Sequence, residues 1–278
     1  MKMKRSLLTL ALVAAVSGVA MAHQDHPSTD GVLVVGNEYS FNALQPLPAG
    51  WTRLTFSNTG KELHHVQIAR LPDGMSAQAF MAELGSKGDA ALAAVEFVGG
   101  VGAVAPGMTA TSYVNLDKPG LYVELCLLPD QKGVPHVAHG MVRTFEVTAA
   151  AAHAHDAAPK ADKMVTLEDY GINLPKDITA GPQVWQLDNK GPEPHEMTVF
   201  KLLPGKTVDD LMHSLSDPQA APAGVPLGGM QALSKGRSGF IELNLERGDY
   251  VLLCAIPSPL HQGKPHVALG MIRPFSVK

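Results

Sequence analysis

The chain is 278 residues long and 45% hydrophobic, with 22 Lys+Arg against 26 Asp+Glu and a net charge of −4. That length suits one large domain or two small ones, and the apolar fraction excludes a disordered tail. The acidic balance leaves no electrostatic footprint for nucleic acid, and two cysteines cannot make a disulfide framework.

Residues 1–22 read as an export signal peptide. Lys2, Lys4 and Arg5 form a basic start, Leu7 to Val16 a short apolar run, and Ala20-Met21-Ala22 a small-x-small cleavage site. The expectation is a mature chain exported to the bacterial periplasm. No later apolar run reaches the roughly 18 residues of a spanning helix, so no membrane span is expected in it.

The rest of the chain repeats itself. Asn58 to Val66 aligns with Asn189 to Met197, and Tyr39 aligns with Tyr170 at the same offset. Gly120 to Cys126 aligns with Gly248 to Cys254, and His136 to Phe145 aligns with His266 to Phe275. Such matches mark a duplicated unit. The expected organisation is a first copy over 31–148, an Ala/His-rich linker over 149–162 and a second copy over 163–278.

Each copy reads as short strands between Gly, Pro, Asn and Asp turn signals. In the first copy they are Val32 to Val35, Trp51 to Phe56, Val66 to Ile68, Thr111 to Leu116, Leu121 to Leu127 and Met141 to Val147. One helical insertion interrupts each copy, Ser76 to Leu84 in the first and Val208 to Leu215 in the second, and Ala90 to Val95 extends the first. This pattern predicts an all-β sandwich or barrel per copy.

Each copy also holds one Cys near the end of an apolar strand, then a His after nine residues in the first copy and eleven in the second, then a Met after four more. These are Cys126, His136 and Met141, and Cys254, His266 and Met271. An upstream His, His64 or His195, follows an Asn-x-Gly turn. Thiolate, two imidazoles and a thioether form a soft set that suits copper in a trigonal site with a weak axial Met. Zinc is the competing metal, although a thioether serves it poorly. His65 competes with His64, since adjacent strand residues face opposite ways; the match to His195 favours His64. His261 is a lesser rival to His266.

On these residues the chain resembles a tandem cupredoxin, the type 1 blue copper family of plastocyanin and azurin. The resemblance runs over roughly Val32 to Val147 and Met164 to Val277. It implies a Greek-key β-sandwich per copy, with copper held by His64, Cys126, His136 and Met141, and by His195, Cys254, His266 and Met271. It also implies that His136 and His266 form the solvent edge through which electrons pass, within an apolar patch that includes Val134 and Leu260. Two departures stand out. The Cys-to-His gaps are longer than in the small members, and the Asn that ties the ligand loops together is replaced by His65 and Glu196.

The expected function is electron transfer in the periplasm with up to two type 1 coppers and a redox protein partner. Copper carriage or sequestration is the alternative. An oxidase or nitrite reductase needs further His-x-His sites, and the one such pair, His153-Ala154-His155, falls in the linker. On that ground the chain is expected not to be an enzyme.

Overall fold

A computed structural model describes residues 31–150, 157–217 and 219–278. The expected leader over residues 1–22 and the His153/His155 pair lie outside the described residues. The first half contains β1 (Val32–Asn37), β2 (Gly50–Asn58), β3 (His64–Arg70), β4 (Glu96–Val104), β5 (Thr109–Leu116), β6 (Gly120–Leu125) and β7 (Val142–Thr148). The second contains β8 (Lys163–Glu168), β9 (Gly181–Asn189), β10 (His195–Leu202), β11 (Gly224–Leu233), β12 (Ser238–Leu245), β13 (Gly248–Leu253) and β14 (Ile272–Val277). One helix follows β3, α1 (Ala77–Lys87), and one follows β10, α2 (Val208–Ser216). The expected helical stretches sit at these places, and the residues after α1 wind on as a 3-10 turn over Gly88–Ala94.

The strands form two facing sheets, each running through both halves. One has the order β8-β9-β12-β5-β2-β1, and the other β14-β13-β10-β11-β4-β3-β6-β7, with short strands at some edges. The expected all-β sandwich architecture is present, with mixed sheets, since β1 runs parallel to β2 and β8 parallel to β9.

Side-chain alternation builds the layers. On β6, Tyr122 and the following Cys126 face the core between the sheets with Val34, Phe56 and Ile68. Val123 and Leu125 face outward and pack under Phe80 and Leu84 of α1. In the second half, Tyr250 and Cys254 face the inner core while Val251 and Leu253 pack under Leu211 of α2. Buried on both faces, these strands read as continuous apolar runs. Ser76 caps α1 and a Thr207/Asp210 capping box starts α2, which fixes where each helix begins. Tyr122 Oη donates to Lys118 O and Tyr250 Oη to Glu246 O, both at 2.8 Å, pinning the same corner in each half.

Placement of the halves is set by a seam of two strand pairs. β4 pairs with β11, with Val101 opposite Met230, and β5 pairs with β12, with Ser112 opposite Ile241. Gly102 is required there, because a Cβ would come within 2.8 Å of the Gly228 and Gly229 backbone. Arg53 reaches Glu242 through two contacts of 2.9 Å, and Tyr113 Oη donates to the same carboxylate at 2.7 Å. The Gln67 amide crosses the seam. Its Oε1 accepts from Ala232 N at 2.9 Å and its Nε2 donates to Ala232 O at 3.2 Å.

The seam also orients the halves. His64 lies opposite Val104, Val104 opposite Leu227, and Leu233 opposite His195. The two histidines therefore sit at opposite ends of the shared sheet. Three strand spacings of about 4.8 Å across and six residues of about 3.3 Å along put them about 25 Å apart.

Candidate metal centres

In each half an asparagine clips the turn that delivers the upstream histidine. Asn58 Nδ2 donates to Glu62 O and Val104 O, both at 2.8 Å, and its Oδ1 accepts from Gly60 N at 2.9 Å. Asn189 makes the same three contacts with Glu193, Leu233 and Gly191. His64 and His195 follow as the first residues of β3 and β10, and both are buried.

The downstream loop closes by main-chain hydrogen bonds. Val137 N donates to Cys126 O at 2.8 Å, Met141 N to His136 O at 3.0 Å, and Cys126 N to Met141 O at 3.1 Å. In the second half Val267, Met271 and Cys254 repeat this at 2.7, 3.0 and 3.1 Å. The long Cys-to-His gaps thus leave the ends of the loop unchanged. The longer second loop is taken up in a small hairpin, Pro257–Ser258 against Lys264–Pro265, where the first half has one bridge between Pro129 and Pro135.

These elements bring three donors together in each half. His64 Nδ1 lies 3.0 Å from His136 Nδ1, which lies 3.4 Å from Cys126 Sγ. His195 Nδ1 lies 3.1 Å from His266 Nδ1, which lies 3.4 Å from Cys254 Sγ. All six residues are buried, and each trio falls within 4.8 Å. Metal–nitrogen bonds of about 2.0–2.1 Å and metal–sulfur bonds of about 2.3 Å demand donors about 3–4 Å apart, so the separations fit a shared ion. Both cysteines are free thiols, and the opposite placement of the two ends keeps them from pairing. Met141 shares the first core with Cys126, and Met271 shares the second with Cys254.

The electrostatics suit a soft cation. Burial pushes the Cys126 thiol up to about 12 and raises the Cys254 thiol as well, so neither would ionise at neutral pH without a positive partner. Burial lowers His64 to about 4 and also lowers His136, His195 and His266, keeping the imidazoles neutral as metal ligation needs. Backbone N–H groups of His65 and Leu128 act on the Cys126 sulfur, and Glu196 N lies 3.5 Å from the Cys254 sulfur. Two imidazoles and a thiol with a buried thioether nearby make a donor set that can hold copper.

His65 is not in the trio. Its Nε2 accepts from Leu127 N at 2.7 Å, beside Cys126, and Glu196 Oε1 accepts from Ala255 N at 2.9 Å, beside Cys254. Both replacements of the expected Asn therefore still tie the upstream strand to the cysteine loop. His139 pairs with Asp130 at 3.0 Å and His261 lies by Tyr170, both outside the donor trios.

The expected solvent edge is absent. His136 is 1% and His266 0% exposed. Glu62 Oε2 lies 3.0 Å from His136 Nε2, and Glu193 Oε2 lies 3.2 Å from His266 Nε2. Tyr39 and Tyr170 pack against the same two rings. Val134 and Leu260 are exposed beside these ends, at 37% and 69%. The second carboxylates differ. Asp169 Oδ1 holds His195 Nε2 at 2.5 Å, whereas Glu38, at the matching position, turns to Lys61 N, and His64 Nε2 has no hydrogen-bond partner. The carboxylates were not singled out from sequence, although Glu62 and Glu193 fall within the aligned Asn-x-Gly blocks. Glu124 was missed as well. It is buried two residues before Cys126, neither oxygen has a hydrogen-bond partner, and burial pushes it up to about 8.

No protein-family profile matches the chain, and no curated protein matches it. Solved structures do. A multicopper oxidase is 14% identical with a TM-score of 0.28, over 89% of this chain and 88% of that one. The reduced auracyanin of the photosynthetic bacterium Roseiflexus castenholzii is 20% identical with a TM-score of 0.30, over 43% of this chain and 95% of that one. The copper nitrite reductase of Nitrosomonas europaea is 14% identical with a TM-score of 0.26, over 90% and 94%. At these identities and TM-scores the likeness carries no argument beyond the two-sheet β-sandwich described above. The expectation that the chain is not an enzyme is corrected here. The matched structures include an oxidase and a nitrite reductase, both enzymes, besides the auracyanin. Among the described residues, no helix is long and apolar enough to cross a membrane.

Proposed function

We propose that the chain is a redox copper protein that transfers electrons, with one type 1 centre in each half. The observation that carries this reading is the twofold convergence of two imidazole Nδ1 atoms and one thiol sulfur in a buried pocket. His64, Cys126 and His136 would hold one ion and His195, Cys254 and His266 the other, with the Met141 and Met271 thioethers as further, weaker donors. Copper bound there would supply reversible one-electron chemistry.

The chain's own residues do the rest. The asparagine clips and the closed loops hold the donors in place, so little rearrangement accompanies a change of charge. The backbone N–H groups at each sulfur and the carboxylate behind each downstream imidazole tune the site's affinity for charge. Burial excludes water. A separate redox protein would be the partner, with exchange in the periplasm after removal of the leader.

The test is titration of the mature protein with Cu(II), followed by visible and EPR spectra and metal counting. An intense thiolate-to-copper band saturating at two ions per chain is expected. Cys126→Ser and Cys254→Ser should each remove one ion and its band. Weak binding without a thiolate band would sink the reading. Tight binding with no reversible reduction would favour copper carriage.

A further inference from the structure

We propose that Tyr39 and Tyr170 are the electron ports of the two centres, and this rests on the copper reading above. The downstream imidazoles are enclosed, so an electron needs another way out. Tyr39 lies 5.0 Å from His136 and Tyr170 lies 4.9 Å from His266, centroid to centroid. Apart from the other imidazole of each trio, no other aromatic ring among the described residues packs against either one. Both tyrosines are half-buried, so each ring spans from ligand to solvent.

Each phenol is also held in place. Tyr39 Oη donates to Glu62 at 3.3 Å and Tyr170 Oη to Glu193 at 2.6 Å, the same carboxylates that sit behind the imidazoles. The surrounding loops differ in length and sequence, yet this arrangement recurs. Its outer support does not. His139 flanks Tyr39 at 4.4 Å, whereas Ser258 and His261 hydrogen-bond Tyr170 at 3.1 and 2.9 Å. With the centres at opposite ends of the sheet, each needs its own port.

In the outward step one electron leaves the reduced centre, crosses the imidazole and phenol rings by tunnelling, and reduces one outer-sphere one-electron acceptor. No bond forms or breaks, no proton moves, and the tyrosine stays a neutral phenol. Glu38, Glu62 and Asp130 act on Tyr39, so the acceptor favoured at that end is cationic.

The experiment isolates one centre at a time, Tyr39 in a Cys254→Ser background and Tyr170 in a Cys126→Ser background. Oxidation of the reduced protein by tris-phenanthroline cobalt(III) is followed by stopped flow, with the band, copper count and potential recorded first. Absence of a thiolate band in the single-site parent would overturn the copper reading itself, before any rate is compared. With the band intact, Tyr39→Leu should slow oxidation several-fold at unchanged potential, and Tyr39→Phe should restore most of the loss. Equal or faster oxidation in Tyr39→Leu would mean that the ring only shields the imidazole. If Tyr39→Leu fails to hold copper, Tyr39→Trp decides. A rate at or above the parent's supports the port, and a slower one overturns it.

Discussion

Val101 and Met230 face each other across the seam, and each holds in its own half the position that the other holds in the partner half. They flank the Gly99-Gly100 and Gly228-Gly229 pairs that match in the repeat. A rotation by half a turn about this pair therefore exchanges the copies. It also reverses the direction of β3 relative to β10, which sends the two donor trios to opposite ends.

The seam should make the halves unfold together. Gly102→Ala drives a methyl into the Gly228–Gly229 backbone and should cost about 1–3 kcal/mol, the usual penalty for overpacking. Gln67→Leu strands the Ala232 N–H and should cost about 1–3 kcal/mol. Urea unfolding of the metal-free protein, followed by two probes, is expected to show one transition shifted to lower midpoint in both variants. Two separated transitions in the parent would show that the seam does not couple the halves.

The carboxylates behind the upstream histidines predict unequal sites. Asp169 orients His195, so Asp169→Ala should weaken metal binding in the second half by about 10–100-fold, the usual effect of losing such a partner. Glu38 bonds the backbone instead of His64, so Glu38→Ala should leave binding in the first half little changed. Competition titrations on the single-cysteine variants measure both. Equal losses would show that the two carboxylates act alike.

Glu124 is a stability cost borne by the first half alone. Its counterpart in the repeat is Leu252, which is buried in the same manner. Holding an unpaired carboxyl in the core is unfavourable whether it is protonated or charged. Glu124→Leu should therefore stabilise the metal-free protein by about 1–3 kcal/mol. A lower denaturation midpoint would mean that the carboxyl has a partner role in the folded state.

The two capping residues behind the cysteine loops give a further test. His65→Ala removes the acceptor for Leu127 N, and Glu196→Ala removes the acceptor for Ala255 N. Each should broaden the thiolate band of its own half and speed copper loss to a chelator, while the other half keeps its spectrum. Unchanged off-rates in both variants would show that the loops hold themselves.

Much of this was legible in the sequence because it was written twice. The Asn-x-Gly turns, the single Cys of each copy and the His-to-Met spacing recur with little drift, and the cysteine and two histidines of each copy converge. The expected strands of the first copy largely coincide with β1 to β7, with one exception. β4 was missed because Gly99, Gly100 and Gly102 give its residues little strand character. Those glycines are present because the strand bulges and lies against another backbone, and that contact is not local. The enclosure of His136 and His266 was also unreadable, since it depends on Tyr39 and Tyr170 arriving from the turns that follow β1 and β8, far from them in sequence.

The seam has a consequence for dilution. β4 and β11 would each be an open edge in a lone copy, free to pair with another chain. In this protein they close on each other through a covalent link, so the pairing partner is always at hand. A dimer of single copies would come apart at low concentration; here the joined assembly persists however few molecules are present, and both metal centres travel as one particle.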